Sequence, residues 1–72
     1  MSVKIPPTTK LTDRQLAILN LAAHGATIKA IATETSWSER TVKSEINTMC
    51  NRLYAENLTH LVYIGTKAGL IP

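Results

Sequence analysis

Polar and cationic side chains recur at a regular spacing between residues 40 and 51. They are Arg40, Lys43, Ser44, Asn47 and Asn51. With about 3.6 residues per helical turn, these positions fall on one face of a helix. Asparagine can pair with adenine through two hydrogen bonds, and arginine or lysine with guanine. The spacing therefore indicates a helix face suited to double-stranded DNA, although the amphipathic pattern alone is also typical of a merely solvated surface.

An apolar stripe lies opposite this polar face, at intervals of four, three and four residues. Its members are Val42, Ile46, Met49 and Leu53. This spacing is that of the buried side of a helix. Ser38 is the predicted N-cap, and Trp37 before it is placed to pack against Val42. The pattern predicts a helix over residues 39–53 that rests on the domain through this stripe.

Two further helices precede this one in the chain. Thr12, with Gln15 three residues later, forms a capping box for a first helix that stops at Gly25. The apolar residues of this helix point in nearly every direction, so we expect it to be the central and most buried helix. Thr27 is the predicted N-cap of a second, shorter helix that runs through Glu34.

Asn57 is the predicted N-cap of a fourth helix from Leu58 to Lys67. One stripe of this helix, expected to face the core, consists of Leu58, Leu61, Val62 and Gly65. A second stripe consists of His60, Tyr63, Ile64 and Lys67. Because Tyr63 and Ile64 are large, adjacent apolar groups outside the first stripe, we expect the second stripe to form a dimer contact.

No segment alternates in polarity over the length of a strand, so the predicted fold class is all-α. The second and third helices, separated by a turn of about four residues, form a helix-turn-helix. We therefore predict a four-helix domain with a central helix-turn-helix and no wing over residues 11–72. Pro6 and Pro7 oppose helix formation, so residues 1–10 are predicted to be a flexible N-terminal arm.

The composition limits the functions open to this chain. Its 72 residues allow one domain, with little room for an internal small-molecule pocket. The single cysteine, Cys50, and the two separate histidines indicate neither a disulfide nor a metal site. Without a nucleophile–base pair or a glycine-rich phosphate loop, we expect no enzyme and no cofactor. The net charge of +3 permits an acidic partner, and no apolar run reaches the about 18 residues of a membrane span, so a cytoplasmic protein is expected.

These residues resemble the LuxR/GerE-type, NarL-like helix-turn-helix domain of bacterial regulators. The resemblance covers residues 11 to 71 without a gap and draws on all four predicted helices. It rests on Leu11-Thr12-Asp13-Arg14, Gly25 to Ala32, Ser38 to Lys43, Arg52-Leu53, Asn57-Leu58-Thr59 and Gly69-Leu70-Ile71. It implies that the third helix enters the major groove of DNA and that the fourth helix forms a dimer interface.

The resemblance also implies roles for single residues. The expected base contacts are Lys43, Ser44 and Asn47. The expected phosphate contacts are Thr27, Lys29, Arg40 and Thr41, to which the polar face of the third helix adds Asn51. Three of these, Thr27, Lys29 and Thr41, lie near predicted helix N-termini, where backbone N–H groups also meet phosphates. We therefore predict a sequence-specific transcription regulator that binds a palindromic site as a homodimer, with RNA polymerase or a larger LuxR-type regulator as further candidate partners.

Four positions depart from the family pattern. Glu45 stands where a histidine is usual, and its carboxylate should either repel phosphate or point aside. Leu58 replaces an arginine, which removes one expected phosphate contact. Leu16 and Ile28 stand where the family is typically polar.

These departures favour an alternative function, a protein-interaction module that pairs with and modulates a larger regulator. An architectural DNA-binding accessory factor is a third candidate. Because no receiver or signal-binding domain precedes the motif, we expect a stand-alone small protein.

Overall fold

The computed structural model describes residues 10–72 and consists there of four α-helices without a strand. The helices are α1 (Asp13–Ala23), α2 (Ile28–Thr35), α3 (Glu39–Leu53) and α4 (Leu58–Lys67). The predicted all-α fold class is confirmed, and the bounds of α3 and α4 are those expected from the sequence. The predicted arm, residues 1–10, lies outside the described residues except for Lys10, which is exposed.

Each helix begins at the N-cap that the sequence indicates. The side-chain oxygen of Thr12 accepts a hydrogen bond from the backbone N–H of Gln15 at 3.1 Å. Oε1 of Gln15 accepts one in return from the backbone N–H of Thr12 at 3.0 Å, which completes the capping box. Thr27, Ser38 and Asn57 likewise accept from the backbone N–H three residues ahead. These bonds satisfy N–H groups that have no partner inside the helix, and so they fix where each helix starts.

One hydrophobic core lies between the helices. The apolar stripe of α3 is buried as predicted: Val42, Ile46, Met49 and Leu53 are each at most 6% exposed. The other helices contribute the buried side chains of Ile18, Leu19, Ile31, Leu61 and Ile64. Both α1 and α3 contact all three other helices, so α1 shares the central position that was expected for it alone.

The fourth helix approaches α1 closely at Gly65. A Cβ atom at this position would lie 2.9 Å from Cδ2 of Leu19, closer than side chains pack, so only glycine fits without a shift. Beyond α4, the carbonyl of Gly65 accepts hydrogen bonds from the backbone N–H groups of Leu70 and Ile71. These bonds fold the C-terminal residues back, and Ile71 is buried in the core.

The assignment of Ile64 to an outer dimer stripe is wrong. Ile64 is 3% exposed and belongs to the core, because α4 lies close to α1 at the neighbouring Gly65 and turns this side of the helix inward. Leu58 and Val62, which were expected to belong to the core-facing stripe of α4, are only half-buried. Of the predicted dimer stripe, Tyr63 and Lys67 are exposed, and His60 is half-buried.

Ile64→Asp should unfold the domain. It places a carboxylate in the apolar core, where an unpaired buried charge costs several kcal/mol. The whole domain is expected to be stable by only roughly 4–10 kcal/mol at its 72 residues. Tyr63→Asp is the matched control, because Tyr63 lies on the same helix and is 50% exposed. Thermal melting followed by circular dichroism measures both, and a cooperative melt of Ile64→Asp near the wild-type temperature would contradict its burial.

Candidate nucleic-acid interface

The turn between α2 and α3 sets how α3 is presented. It consists of Ser36, Trp37 and Ser38. Ser36 has a φ of 65°, and this left-handed conformation ends α2. Oγ of Ser38 then accepts a hydrogen bond from the backbone N–H of Thr41 at 3.0 Å and starts α3. Since α2 packs against α3, the two helices and their short turn form a helix-turn-helix unit that holds the polar face of α3 outward.

The outward face of α3 forms an open concave surface. Its lining residues are Arg40, Lys43, Ser44, Asn47, Thr48 and Asn51. All six side chains are exposed. Two are cations, four carry hydroxyl or amide groups, and none is acidic. This concave surface of α3 therefore offers hydrogen bonds and positive charge to an anionic partner.

The structure thus brings together five of the residues that the sequence singled out, the three base candidates with Arg40 and Asn51. It adds Thr48, whose hydroxyl donates to the carbonyl of Ser44 at 3.0 Å. Thr48 lies four residues after Ser44, so the helical spacing already contained the signal for it.

A second concavity adjoins the first. It is lined by Arg14, Arg40, Thr41, Ser44 and Glu45. Thr41 is half-buried, and its hydroxyl oxygen accepts from the hydroxyl of Ser38 at 3.0 Å. Arg14 reaches this place from α1, and no local pattern could have indicated it.

Glu45 points aside, towards α1. Its Oε2 lies 3.7 Å from Nη1 of Arg14, and its Oε1 accepts from Nε2 of Gln15 at 3.4 Å. The guanidinium of Arg14 also lies 5.0 Å from the centre of the Trp37 ring, a cation–π distance. The carboxylate of Glu45 is therefore paired with a cation beside the concave surface of α3.

Two predicted phosphate contacts lie elsewhere on the helix-turn-helix. Thr27 and Lys29 are exposed at the start of α2 and line neither concavity. The side-chain oxygen of Thr27 accepts from the backbone N–H of Ala30 at 3.1 Å. No acidic residue occupies the first turn of α2, so the positive end of its helix dipole is not neutralised there.

The apolar departures from the family pattern are covered. Leu16, Ile28 and Leu58 are half-buried and pack against the hydrophobic core. They therefore present less apolar surface to the solvent than fully exposed side chains would. Cys50 is also half-buried beside the core, and burial raises the pKa of its thiol, which favours the unreactive protonated form.

The outer side of α4 is partly occupied by contacts within the chain. Nδ1 of His60 accepts a hydrogen bond from the backbone N–H of Glu56 at 3.1 Å. The ammonium of Lys67 lies 5.8 Å from the centre of the Tyr63 ring. The structure thus gives His60 a local role at the start of α4 and leaves Tyr63 as the large exposed group of this face.

Residues 10–72 hold neither a cluster of metal-binding side chains nor a candidate membrane-spanning helix. No group of three or more histidine, cysteine, aspartate or glutamate side chains in this part of the chain could hold a metal ion. Nor does any helix within these residues combine the length and the apolar character needed to cross a membrane.

Comparison with known proteins identifies the fold that carries this surface. The model of the GerE family, described as bacterial regulatory proteins of the luxR family, matches residues 9–64. The chain belongs to this family. The LuxR-type chain is accordingly a DNA-binding helix-turn-helix domain of the kind that serves transcription regulation. The resemblance predicted from the sequence is confirmed.

A curated relative has a name that agrees with this family. The domain is 38% identical over 63 residues to the transcriptional regulatory protein YdfI of Bacillus subtilis (strain 168). The alignment covers 88% of this chain and 30% of YdfI, so the LuxR-type domain spans about 30% of that protein's length. No solved structure matches.

The pairing of Arg14 with Glu45 should contribute a small coupling to stability. Both side chains are partly exposed, and exposed ion pairs typically contribute about 0.2–1 kcal/mol. A double-mutant cycle with Arg14→Ala, Glu45→Ala and the double variant, measured by urea unfolding, gives this free energy directly. The coupling should shrink as salt is added. A coupling free energy of zero in low salt would show that Arg14 does not hold the carboxylate.

Proposed function

We propose that the LuxR-type domain is a sequence-specific transcription regulator whose α3 lies in the major groove of DNA. The observation that carries the proposal is the concave surface of α3, which is exposed, cationic and free of carboxylates, directly opposite a buried apolar stripe. The major groove is about 12 Å wide and admits one helix. The family of the chain and the name of its relative YdfI support this function.

Within this complex, Lys43, Ser44 and Asn47 contact base edges. All three are exposed on the concave surface, where the polar groups converge. Phosphates are contacted by a second set around them: Thr27, Lys29, Arg40, Thr41 and Asn51. The exposed first turn of α2, with the backbone N–H groups of its N-terminus, supports the assignment of Thr27 and Lys29.

The protein would bind a palindromic site as a homodimer through the outer side of α4. His60, Tyr63 and Lys67 form this contact, without the buried Ile64. A ten-residue helix offers far less than the roughly 800 Å² per partner of a standard interface. Two copies would therefore associate weakly in solution and pair on DNA, in the cytoplasm, where RNA polymerase or a larger LuxR-type regulator completes the regulatory complex.

The proposed activity is binding, with no catalytic step. The alternative of a protein-interaction module drew on Glu45 and on apolar departures at Leu16, Ile28 and Leu58. Glu45 is paired with Arg14, and the three apolar side chains pack against the core. No observation on the surface favours an architectural role over a regulatory one.

Asn47→Ala and Lys29→Ala should weaken DNA binding in different ways. Loss of a base contact at Asn47 should cost about 1–3 kcal/mol at one base pair of each half-site and leave the salt dependence unchanged. Loss of a phosphate contact at Lys29 should weaken all sequences alike and reduce the salt slope by about one. The measurement is the affinity for single-base variants of a site selected from random DNA, at several salt concentrations.

Asn20→Ala is the matched control for this experiment, since Asn20 is exposed on α1, away from the concave surface of α3. It should bind as the wild type does. A uniform loss of affinity over every operator variant in Asn47→Ala would withdraw the base contact from that residue.

Tyr63→Asp should reduce cooperative binding to a full palindrome while leaving half-site affinity unchanged. The substitution puts two like charges near each other across the proposed α4 contact, whereas α3 is untouched. Titration of half-site and full-site duplexes separates the two effects, with Asn20→Asp as the control for added negative charge. Wild-type affinity of Tyr63→Asp for the full palindrome would rule out this face as the dimer contact.

A further inference from the structure

Tyr54 combines a left-handed backbone conformation at the end of α3 with an exposed ring. It is the C-cap of α3, with a φ of 57° in the left-handed region, where the Cβ atom of an L-residue is crowded. Its side chain is 71% exposed, more than any other large hydrophobic residue of the described chain. A residue held in an unfavourable conformation with an exposed ring is a candidate for contact with another molecule.

The position of Tyr54 relates it to the concave surface of α3. Arg40, Lys43, Asn47 and Asn51 follow one another at intervals of three, four and four residues, and Tyr54 comes three residues after Asn51. At about 100° per residue, this spacing keeps the four α3 positions along one side of the helix, and Tyr54 follows directly after the last residue of α3. Tyr54 thus lies just beyond the C-terminal end of this line of polar residues, near the exposed cation Arg52.

The length of α3 indicates which part of DNA Tyr54 meets. The helix has 15 residues and is about 22 Å long, whereas the major groove is only about 12 Å wide. With a rise of about 1.5 Å per residue, Tyr54 lies about 10 Å beyond Asn47 along the axis. When Asn47 faces a base, Tyr54 thus reaches the edge of the groove, where a sugar–phosphate strand runs. Tyrosine hydroxyls are among the groups that donate hydrogen bonds to DNA phosphates.

We infer that Tyr54 contacts the DNA backbone, its hydroxyl donating a hydrogen bond to a phosphate oxygen of the strand that borders the major groove. The inference rests on the proposed insertion of α3 into that groove. The contact is independent of base sequence and fixes how far the C-terminal end of α3 extends across the duplex. Continuity with the cationic surface of α3 favours DNA over a protein as the partner of this ring.

Tyr54→Phe tests the hydroxyl alone, because it keeps the ring and the backbone conformation. The full 72-residue chain is titrated with a half-site duplex and with an unrelated duplex of the same length. A lost hydrogen bond to a charged group should lower both affinities by about tenfold. The slope of affinity against salt should stay unchanged, since no cation is removed. Asn20→Ala, on α1 and away from the concave surface of α3, is the control and should bind as the wild type does.

Tyr54→Gly supplies a second readout with the opposite sign. Glycine adopts a positive φ without crowding, so this variant should melt about 4–8 °C higher than the wild type. Its DNA affinity should nevertheless fall at least as far as that of Tyr54→Phe. A residue that serves only the fold would not produce higher stability together with weaker binding.

Three outcomes would overturn the inference. If Tyr54→Phe bound as the wild type while Asn47→Ala lost affinity, Tyr54 would not contact DNA, and the proposed function would remain. A change in self-association, measured by sedimentation, with unchanged half-site affinity would place the ring in a protein contact instead. If the wild-type chain gave no competitor-resistant binding to any DNA fragment, the proposed function and this inference would fail together.

Discussion

The fold depends on one face of α3 being buried while the opposite face is left free. A domain of this size buries only about 60% of the surface of its unfolded chain, so only a small number of side chains can form its core. Val42, Met49 and Leu53 are almost fully enclosed between α1, α2 and α4. Because a helix is rigid about its own axis, burial of this stripe determines where the polar residues point. Packing in the core thus determines which polar side chains of α3 face the solvent.

Gln15 ties the start of α1 to the orientation of α3. Its Oε1 closes the capping box with Thr12, and its Nε2 reaches the carboxylate of Glu45. The side chain is 4% exposed and is the buried polar residue among the described ones. Burial of an amide is favourable only when its polar atoms find partners, and here both ends do. The residue that completes the capping box of α1 thus also contacts α3, the helix that carries the concave surface.

The elements could be predicted from the sequence because their signals are local. Thr12, Thr27, Ser38 and Asn57 each act within three residues, and the α3 stripe repeats with the helical period, so the caps and the polar face were found directly. The sequence did not determine which side of α4 faces the core, because this helix carries two apolar stripes. The close approach of α4 to Leu19 at Gly65 is what buries Ile64. The Arg14–Glu45 pair spans 31 residues, and only the assembled helices bring it together. The contacts to bases, to phosphates and to a second copy of the chain also depend on the geometry of the bound partner. The sequence and the fold of one chain do not contain that geometry.

Within residues 10–72, α2 and α4 do not contact each other, and each rests separately on α1 and α3. Effects of substitutions at positions that share no partner add in free energy, so a change at one needs no compensating change at the other. Exposed positions such as Thr33 on α2 and Thr66 on α4 are therefore free to evolve independently of each other. Descendants of this chain could diversify the outer surface of one helix over many generations while the other kept its geometry. The packing thus divides a very small protein into two surfaces that can acquire new partners one at a time.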